Sequence, residues 1–221
     1  MLIRYVPRAT SPAQRLRRLA RAVLYLPTRA RQMLDPAYPW INAGAVRFLR
    51  AGLRPDMRGF EFGSGRSTLF FSRRVASLVT VEHNEKWRRK VTALLMRSRA
   101  ENVTLTFLPP GAATAVDTPR PAVWKSLGLA PRLPEFAAYF DHILSYPDEH
   151  FDFVLVDGRA RVECAINAME KIRPGGWLIL DNSEWEKYAP VFQAAAAWKR
   201  RDYENGVWRT TIFLKPGRTP S

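Results

Sequence analysis

The sequence predicts an α/β protein: a doubly wound, mostly parallel sheet with a C-terminal antiparallel hairpin and an N-terminal helical extension. Three observations predict it. From residue 58 onward, short β-rich runs alternate five times with helical stretches, and parallel neighbours need crossover helices. The run GFEFGSGRST (59–68) places a two-glycine turn between the first strand and its helix. Near the end, Asn205-Gly206 separates two β-prone runs, a strong hairpin signal.

The elements follow in order. RGFEF (58–62) reads as a strand and STLFFSRRVA as the helix after it. SLVTVE (77–82), a helix over NEKWRRKVTALLMRSR (84–99) and a strand VTLTF (103–107) come next. An irregular, proline-containing stretch continues to about residue 134, and helical patterning resumes over 135–146. FDFVLVD (151–157) is apolar enough for a central strand covered on both faces. A helix over about 161–171, closed by Pro174-Gly175-Gly176, leads to the strand GWLILD (176–181). The stretch EWEKYAPVFQAAAAWKR (184–200) reads as a fifth helix that Pro190 kinks or restarts. KRRDY and VWRTTIFL then pair antiparallel.

Composition bounds the rest. With 221 residues, 47% apolar and 12% aromatic, the chain has material for one core of ordinary size. Residues 1–35 form a basic helical extension and residues 36–221 the main domain. Net charge is +15, and residues 1–50 alone hold ten Arg against one acid, Asp35. Such a balance favours polyanions. Arg outnumbers Lys 28 to 7, however, and Ala and Pro are abundant, the pattern a GC-rich coding sequence produces without selection for binding. The single cysteine, Cys164, excludes an internal disulfide and a zinc framework, and its helical context suits a small buried residue. No apolar run approaches the roughly 20 residues that span a bilayer, and AVLYLP is short for a secretory core. Leu16, Leu19, Val23 and Leu26 recur at helical spacing among Arg15, Arg17, Arg18 and Arg21. That helix can lie on an anionic membrane surface or pack on the domain. The expected location is cytoplasmic, with the inner membrane face as a peripheral site.

In a sheet of this kind, ligands lie beyond the carboxyl ends of the strands where strand order reverses. No G-K-[ST] follows the glycines, which excludes a P-loop. The dinucleotide pattern would need glycine where Thr68 stands. A structural turn remains available. Glu61 lies two residues before Gly63, and Glu82 ends the next strand 19 residues after it. A carboxylate at the second position can accept both ribose hydroxyls, and Glu61 would repel a diphosphate but welcome a cation.

Together, E-x-G-x-G at 61–65, the acid closing the second strand, VLVDG (154–158) and RPGGWLILDN (173–182) resemble the class I S-adenosylmethionine-dependent methyltransferases over roughly residues 38–215. The resemblance implies a seven-stranded Rossmann-like sheet whose last strand is an antiparallel insertion. It implies that Gly63, Ser64, Gly65 and Ser67 pass under the amino-acid end of S-adenosyl-L-methionine. Glu61 would meet the ammonium, Glu82 the ribose, His83 the cofactor rim, and FLPPG (107–111) the adenine. Ser67 replaces the usual third glycine, a departure that tightens the approach.

The ends of the fourth and fifth strands carry the remaining chemistry. Asp157, Asp181 and Asn182 share one sheet edge and offer oxygen ligands suited to Mg²⁺. The trio resembles the metal site of the catechol O-methyltransferase branch, where the ion acidifies a substrate hydroxyl. That branch carries a lysine three residues after the first Asp; here position 160 is Ala, flanked by Arg159 and Arg161. Arginine cannot act as a base but can clamp a carboxylate or phosphate. Asp157, Arg159 and Asp181 are the catalytic candidates, and Asp157 is also expected among the cofactor-binding residues; without metal, Asp157 is the base or substrate anchor, and Asp-Asn can equally be a turn and helix cap. Tyr38, Trp40, Trp185 and Tyr188 are candidates for an acceptor-pocket wall, against the commoner role of aromatics in cores.

The expected function is methylation of an oxygen on a small-molecule or sugar-like, anionic acceptor. RNA methylation is the alternative that the charge suggests, although no N/D-P-P-Y/F motif or Pro-Cys pair is present. A non-catalytic membrane-associated or partner-binding module on the same fold is a third reading, and a nicotinamide oxidoreductase a distant fourth.

Overall fold

A computed structural model describes residues 34–114, 116 and 119–218. The basic helix expected over 12–26, with its membrane reading, lies outside the described residues.

Seven strands form one sheet: β1 (Arg58–Phe62), β2 (Ser77–Glu82), β3 (Val103–Phe107), β4 (Phe151–Val156), β5 (Ile172–Asp181), β6 (Lys199–Glu204) and β7 (Arg209–Leu214). Their order is β3-β2-β1-β4-β5-β7-β6. The first five are parallel, and β7 runs antiparallel to both β5 and β6. This is the seven-stranded, doubly wound Rossmann-like architecture with a terminal hairpin that the sequence predicts. Strand order reverses between β1 and β4, which pair Phe62 with Val156, so Gly63 and Asp157 leave the sheet side by side.

Alternation along the strands builds two cores. Phe60, Phe62, Val154, Val156, Leu178 and Leu180 face one layer of helices, chiefly α6 (Arg161–Lys171) and the short α4 (Ala122–Ser126), α5 (Ala137–Asp141) and α7 (Ala189–Ala194). Phe153, Leu155, Ile179 and Ile212 face the other cluster, which includes residues of α1 (Ala43–Gly52) and α2 (Arg66–Ser72). Every residue of β4 is buried, as its unbroken apolar run requires. Cys164 is a fully buried core residue. The remaining helix, α3 (Glu85–Arg97), is capped by Asn84, whose side chain accepts from Trp87 N.

Several boundaries differ from the sequence reading. Helix α1 went unread because its apolar stripe is short; Ala45, Val46 and Leu49 are its buried face. The helix expected over 135–146 breaks into a 3₁₀ turn, α5 and a second 3₁₀ turn. That over 184–200 shortens to a 3₁₀ turn at Glu186–Tyr188 and α7, which restarts with Pro190 in its first turn. Lys199 and Arg200 belong to β6, where pairing with β7 outweighs helical propensity. Strand β5 begins earlier than expected, through an irregular register opposite Phe151–Phe153.

Gly59 in β1 shows how tightly the second core is packed. A Cβ there would lie 2.2 Å from the ring of Phe153. Gly59→Ala is expected to destabilise the fold by about 1–3 kcal/mol through overpacking. A lowered urea midpoint at unchanged m-value would show this.

Candidate functional site

The loop after β1 turns on Gly63, whose φ is +94°, a left-handed conformation that side chains resist. A Cβ on it would also come within 2.8 Å of the backbone of Gly158. Gly63 is therefore demanded by the chain's own packing against the loop after β4. Gly158 is demanded in turn by Tyr139, whose hydroxyl would lie 2.0 Å from a Cβ there. Gly65 differs. Its φ of 177° suits any residue, and a Cβ would meet nothing closer than 3.8 Å. Nothing in the protein's own packing needs glycine at this position: a Cβ would make only ordinary contact with Ser67 Oγ and Trp87 Nε1.

Two buried carboxylates stand behind the loop with opposite hydrogen bonding. Glu61 is fully buried. Its Oε2 accepts from Thr68 Oγ1 at 2.5 Å and Thr80 Oγ1 at 2.9 Å, while Oε1 makes no hydrogen bond. Burial pushes its pKa up to about 7, against the hydroxyls of Ser67, Thr68 and Thr80, which pull it down. Thr68 Oγ1 also accepts from Gly65 N at 2.8 Å, so Glu61 shapes the loop through a hydroxyl relay.

Glu82 is saturated. Oε2 accepts from Ser64 N at 3.1 Å and Ser64 Oγ at 2.8 Å; Oε1 accepts from the backbone N–H groups of His83 and Asn84, each at 2.8 Å. Those four donors match the capacity of a carboxylate. The ribose pairing expected of Glu82 requires one of them, the Ser64 hydroxyl being the most mobile, to give way. The indole of Trp87 donates to Ser64 O and fastens the loop to α3. Ser64 and Ser67 are both nearly buried. The His83 ring rests edge-on against Phe136 and Tyr139, 5.4 and 5.7 Å between centroids. Burial lowers its pKa, with Arg159 adding to the effect and Glu82 opposing it. The FLPPG segment reaches the same corner, where Leu108 N donates to Glu82 O at 2.8 Å.

The ends of β4 and β5 are joined by Arg161, at the start of α6. Its Nε donates to Gly158 O at 3.0 Å, and its terminal nitrogens to Asp157 O, Asp157 Oδ1 and Asp181 O. Burial works against its charge, and Asp157 and Asp181 more than restore it, leaving the pKa raised. The sequence places Arg161 only as a flank of the site. The structure makes it the pivot, because Ala160 takes a left-handed φ of 47° and swings the side chain back over the strand ends.

This arrangement lends the metal reading no support. Asp157 is ion-paired to Arg161 at 2.8 Å. The Asp181 side chain is buried and accepts from Thr210 Oγ1 at 2.6 Å, and Asn182 is a left-handed turn residue with φ 53°. A guanidinium already bridges the two strand ends, so Asp157, Asp181 and Asn182 do not form the open oxygen shell that Mg²⁺ takes. Among the described residues, no group of three His, Cys, Asp or Glu is placed to hold a metal ion. Arg159 is exposed and near enough to His83 to influence its charge. Of the aromatic candidates, Tyr38 and Tyr188 are buried, whereas Trp40 and Trp185 are 48% and 40% exposed. A groove of about 370 Å³ lined by Leu69, Ser72, Arg73 and Asn102 lies at the opposite edge of the sheet and carries none of this chemistry.

The two glycines should separate cleanly. Gly63→Ala is expected to cost about 2 kcal/mol or more in stability, from its φ and the clash with Gly158. Gly65→Val should change stability by about 1 kcal/mol or less yet abolish calorimetric binding of S-adenosylhomocysteine. Glu61 should leave a signature in stability against pH. The folded protein holds its proton more tightly than the unfolded chain does, so its stabilisation is whole below about pH 4.5 and is lost as pH rises through about 7. The loss is at most about 3 kcal/mol. Urea titrations of Glu61→Gln should show a flatter decline over that window.

No family model matches the chain, and no curated protein matches its sequence. Solved structures do match its fold. A methyltransferase-like protein from Silicibacter pomeroyi aligns with TM-score 0.54 at 22% identity, over 82% of this chain and 90% of that one. A protein from Streptococcus mutans in complex with SAH aligns at 0.53 and 12%, over 77% and 95%. An rRNA methylase from Streptococcus thermophilus aligns at 0.52 and 15%, over 83% and 98%. At these identities the likeness concerns architecture: the chain has the Rossmann-like methyltransferase fold.

Proposed function

We propose that this chain is an S-adenosylmethionine-dependent methyltransferase acting on an oxygen of a small-molecule acceptor. The observation that carries the reading is a glycine at position 65 that no packing demand explains, in the loop at the strand-order reversal that two buried carboxylates, Glu61 and Glu82, hold from behind. A ligand that is cationic, bears vicinal hydroxyls and approaches backbone closely suits that place. Gly63, Ser64, Gly65 and Ser67 would hold its amino-acid end, Glu61 would supply negative field from behind, and Glu82 would take its hydroxyls. His83 would lie on the rim. S-adenosylmethionine, when bound, supplies an electrophilic methyl group on a sulfonium.

The chain's own residues then have to align and activate the acceptor. Asp157 emerges from β4 next to Gly63, fixed by Arg161 at 2.8 Å, and is the candidate to anchor the acceptor hydroxyl and receive its proton. Arg159 remains protonated and cannot act as the base. Asp181, buried against Thr210, positions the strand end. No step needs a divalent ion.

Thermal-shift and calorimetric comparison tests the donor: S-adenosylmethionine and S-adenosylhomocysteine should stabilise the protein and NAD should not. An inverse ranking would remove the reading. With an acceptor found by labelled-methyl screening, transfer should persist in excess EDTA. Asp157→Asn should lose about 10²–10⁴-fold in kcat at near-constant S-adenosylhomocysteine affinity. Transfer that depends on added RNA would favour the RNA alternative instead.

A further inference from the structure

Three cationic side chains come from separate segments at the carboxyl edge, two of them in contact and the third near enough to act on their charge, and the sequence singles out only one of them. Arg159 lies in the loop between β4 and α6. Lys187 sits in the 3₁₀ turn after β5, and Arg132 at the end of the long loop after β3. The assembly is tied together. Arg132 N donates to Glu163 Oε1 on α6 at 2.8 Å, and its guanidinium donates to Lys187 O at 3.0 Å. The Lys187 ammonium lies over the Trp185 ring at 4.0 Å and the Tyr188 ring at 5.1 Å, and those rings are stacked on each other.

The charges are uncompensated. No carboxylate among the described residues lies within ion-pair distance of Arg132, Arg159 or Lys187. Asp157, the nearest acid of the site, is engaged by Arg161. Glu163 is buried under Arg132, and Glu184 accepts from Trp185 Nε1 and Arg209 N. Burial lowers the Lys187 pKa, and Arg161, Arg159 and Arg132 lower it further, so the cations feel one another. A solvated basic face would spread its charges along one exposed element; here the charges come from three segments, near a half-exposed indole.

We infer that Arg132, Arg159 and Lys187 form an anion-binding subsite for the methyl acceptor, which therefore carries a phosphate or carboxylate group. The proposal rests on the donor reading above and adds the substrate class. Two arginine forks and an ammonium suit a tetrahedral or planar polyanionic group. Anchoring that group at the crown would leave the acceptor's hydroxyl near Asp157, and the exposed face of Trp185 offers a ring a surface to stack on.

The test uses the full chain saturated with S-adenosylhomocysteine, at constant ionic strength. Inorganic phosphate and succinate are titrated by calorimetry into wild type, Arg159→Gln, and the triple variant Arg132→Gln, Arg159→Gln, Lys187→Gln. Wild type should bind at least one anion, and the triple variant should bind it at least tenfold more weakly, with unchanged affinity for S-adenosylhomocysteine. Phosphate preference assigns a phosphoryl acceptor and succinate preference a carboxylate one. Absence of binding to wild type, or equal binding to the triple variant, overturns the subsite. An oligouridylate that binds wild type more than 100-fold tighter than phosphate, and loses that in the triple variant, overturns the small-molecule assignment. Should S-adenosylhomocysteine fail to bind while phosphate binds as expected, the donor reading falls and the anion subsite stands.

Discussion

A buried guanidinium holds the working edge of this protein together. Taking Arg161 out of water is tolerable only because carbonyls of Gly158, Asp157 and Asp181 and the Asp157 carboxylate surround it. Those partners come from the ends of two different strands. One side chain therefore fixes where β4 and β5 stop, how the loop carrying Gly158 lies, and which way Asp157 is turned. The Gly158 loop in turn presses on Gly63, so the geometry of the glycine turn depends on the same bridge. A charge built into the chain links the Asp157 carboxylate to the backbone at the end of β5.

Behind the turn, the two carboxylates divide the electrostatics. Glu82 is fully provided with donors and acts as a rigid clasp on Ser64, His83 and Asn84. Glu61 is short of donors, with one oxygen unbonded and its pKa near neutrality. A cationic ligand near the loop would favour its ionised form, since an adjacent positive charge stabilises a carboxylate in low dielectric. The residue that weakens the fold as pH rises would, under the proposed function, favour a cationic ligand. Acids that sit alike in the sequence, each at or near the end of a strand, have opposite roles because of how many N–H and O–H groups face them.

Much of the fold was legible because burial in a doubly covered sheet leaves a direct trace. The unbroken apolar run of β4, the Asn205-Gly206 turn and the short β-rich runs of β1 and β2 each report a local constraint. Helix α1 was not legible, as its three buried positions are too few to stand out, and neither was the break of 135–146 into 3₁₀ turns. Of the site, Gly63, Gly65, Glu61 and Glu82 could be placed by spacing alone. Gly158 and Tyr139 could not, because their constraint is a contact between helix α5 and the loop after β4, 19 residues apart in number and adjacent only once the sheet forms. Thr68 and Thr80, which hold Glu61, read as ordinary helix and strand residues.

The sequence by itself determined the architecture, the strand ends that gather at one edge, and the acids and glycines that reach it. Hydrophobic period and turn chemistry act over a few residues, and both are written locally. Only the tertiary structure decided that Arg161 joins Asp157 to the end of β5, that Glu82 is saturated while Glu61 is not, and that Arg132 reaches Lys187. Those outcomes depend on which distant groups compete for the same lone pairs and the same few ångströms of space, and chain order does not encode that competition.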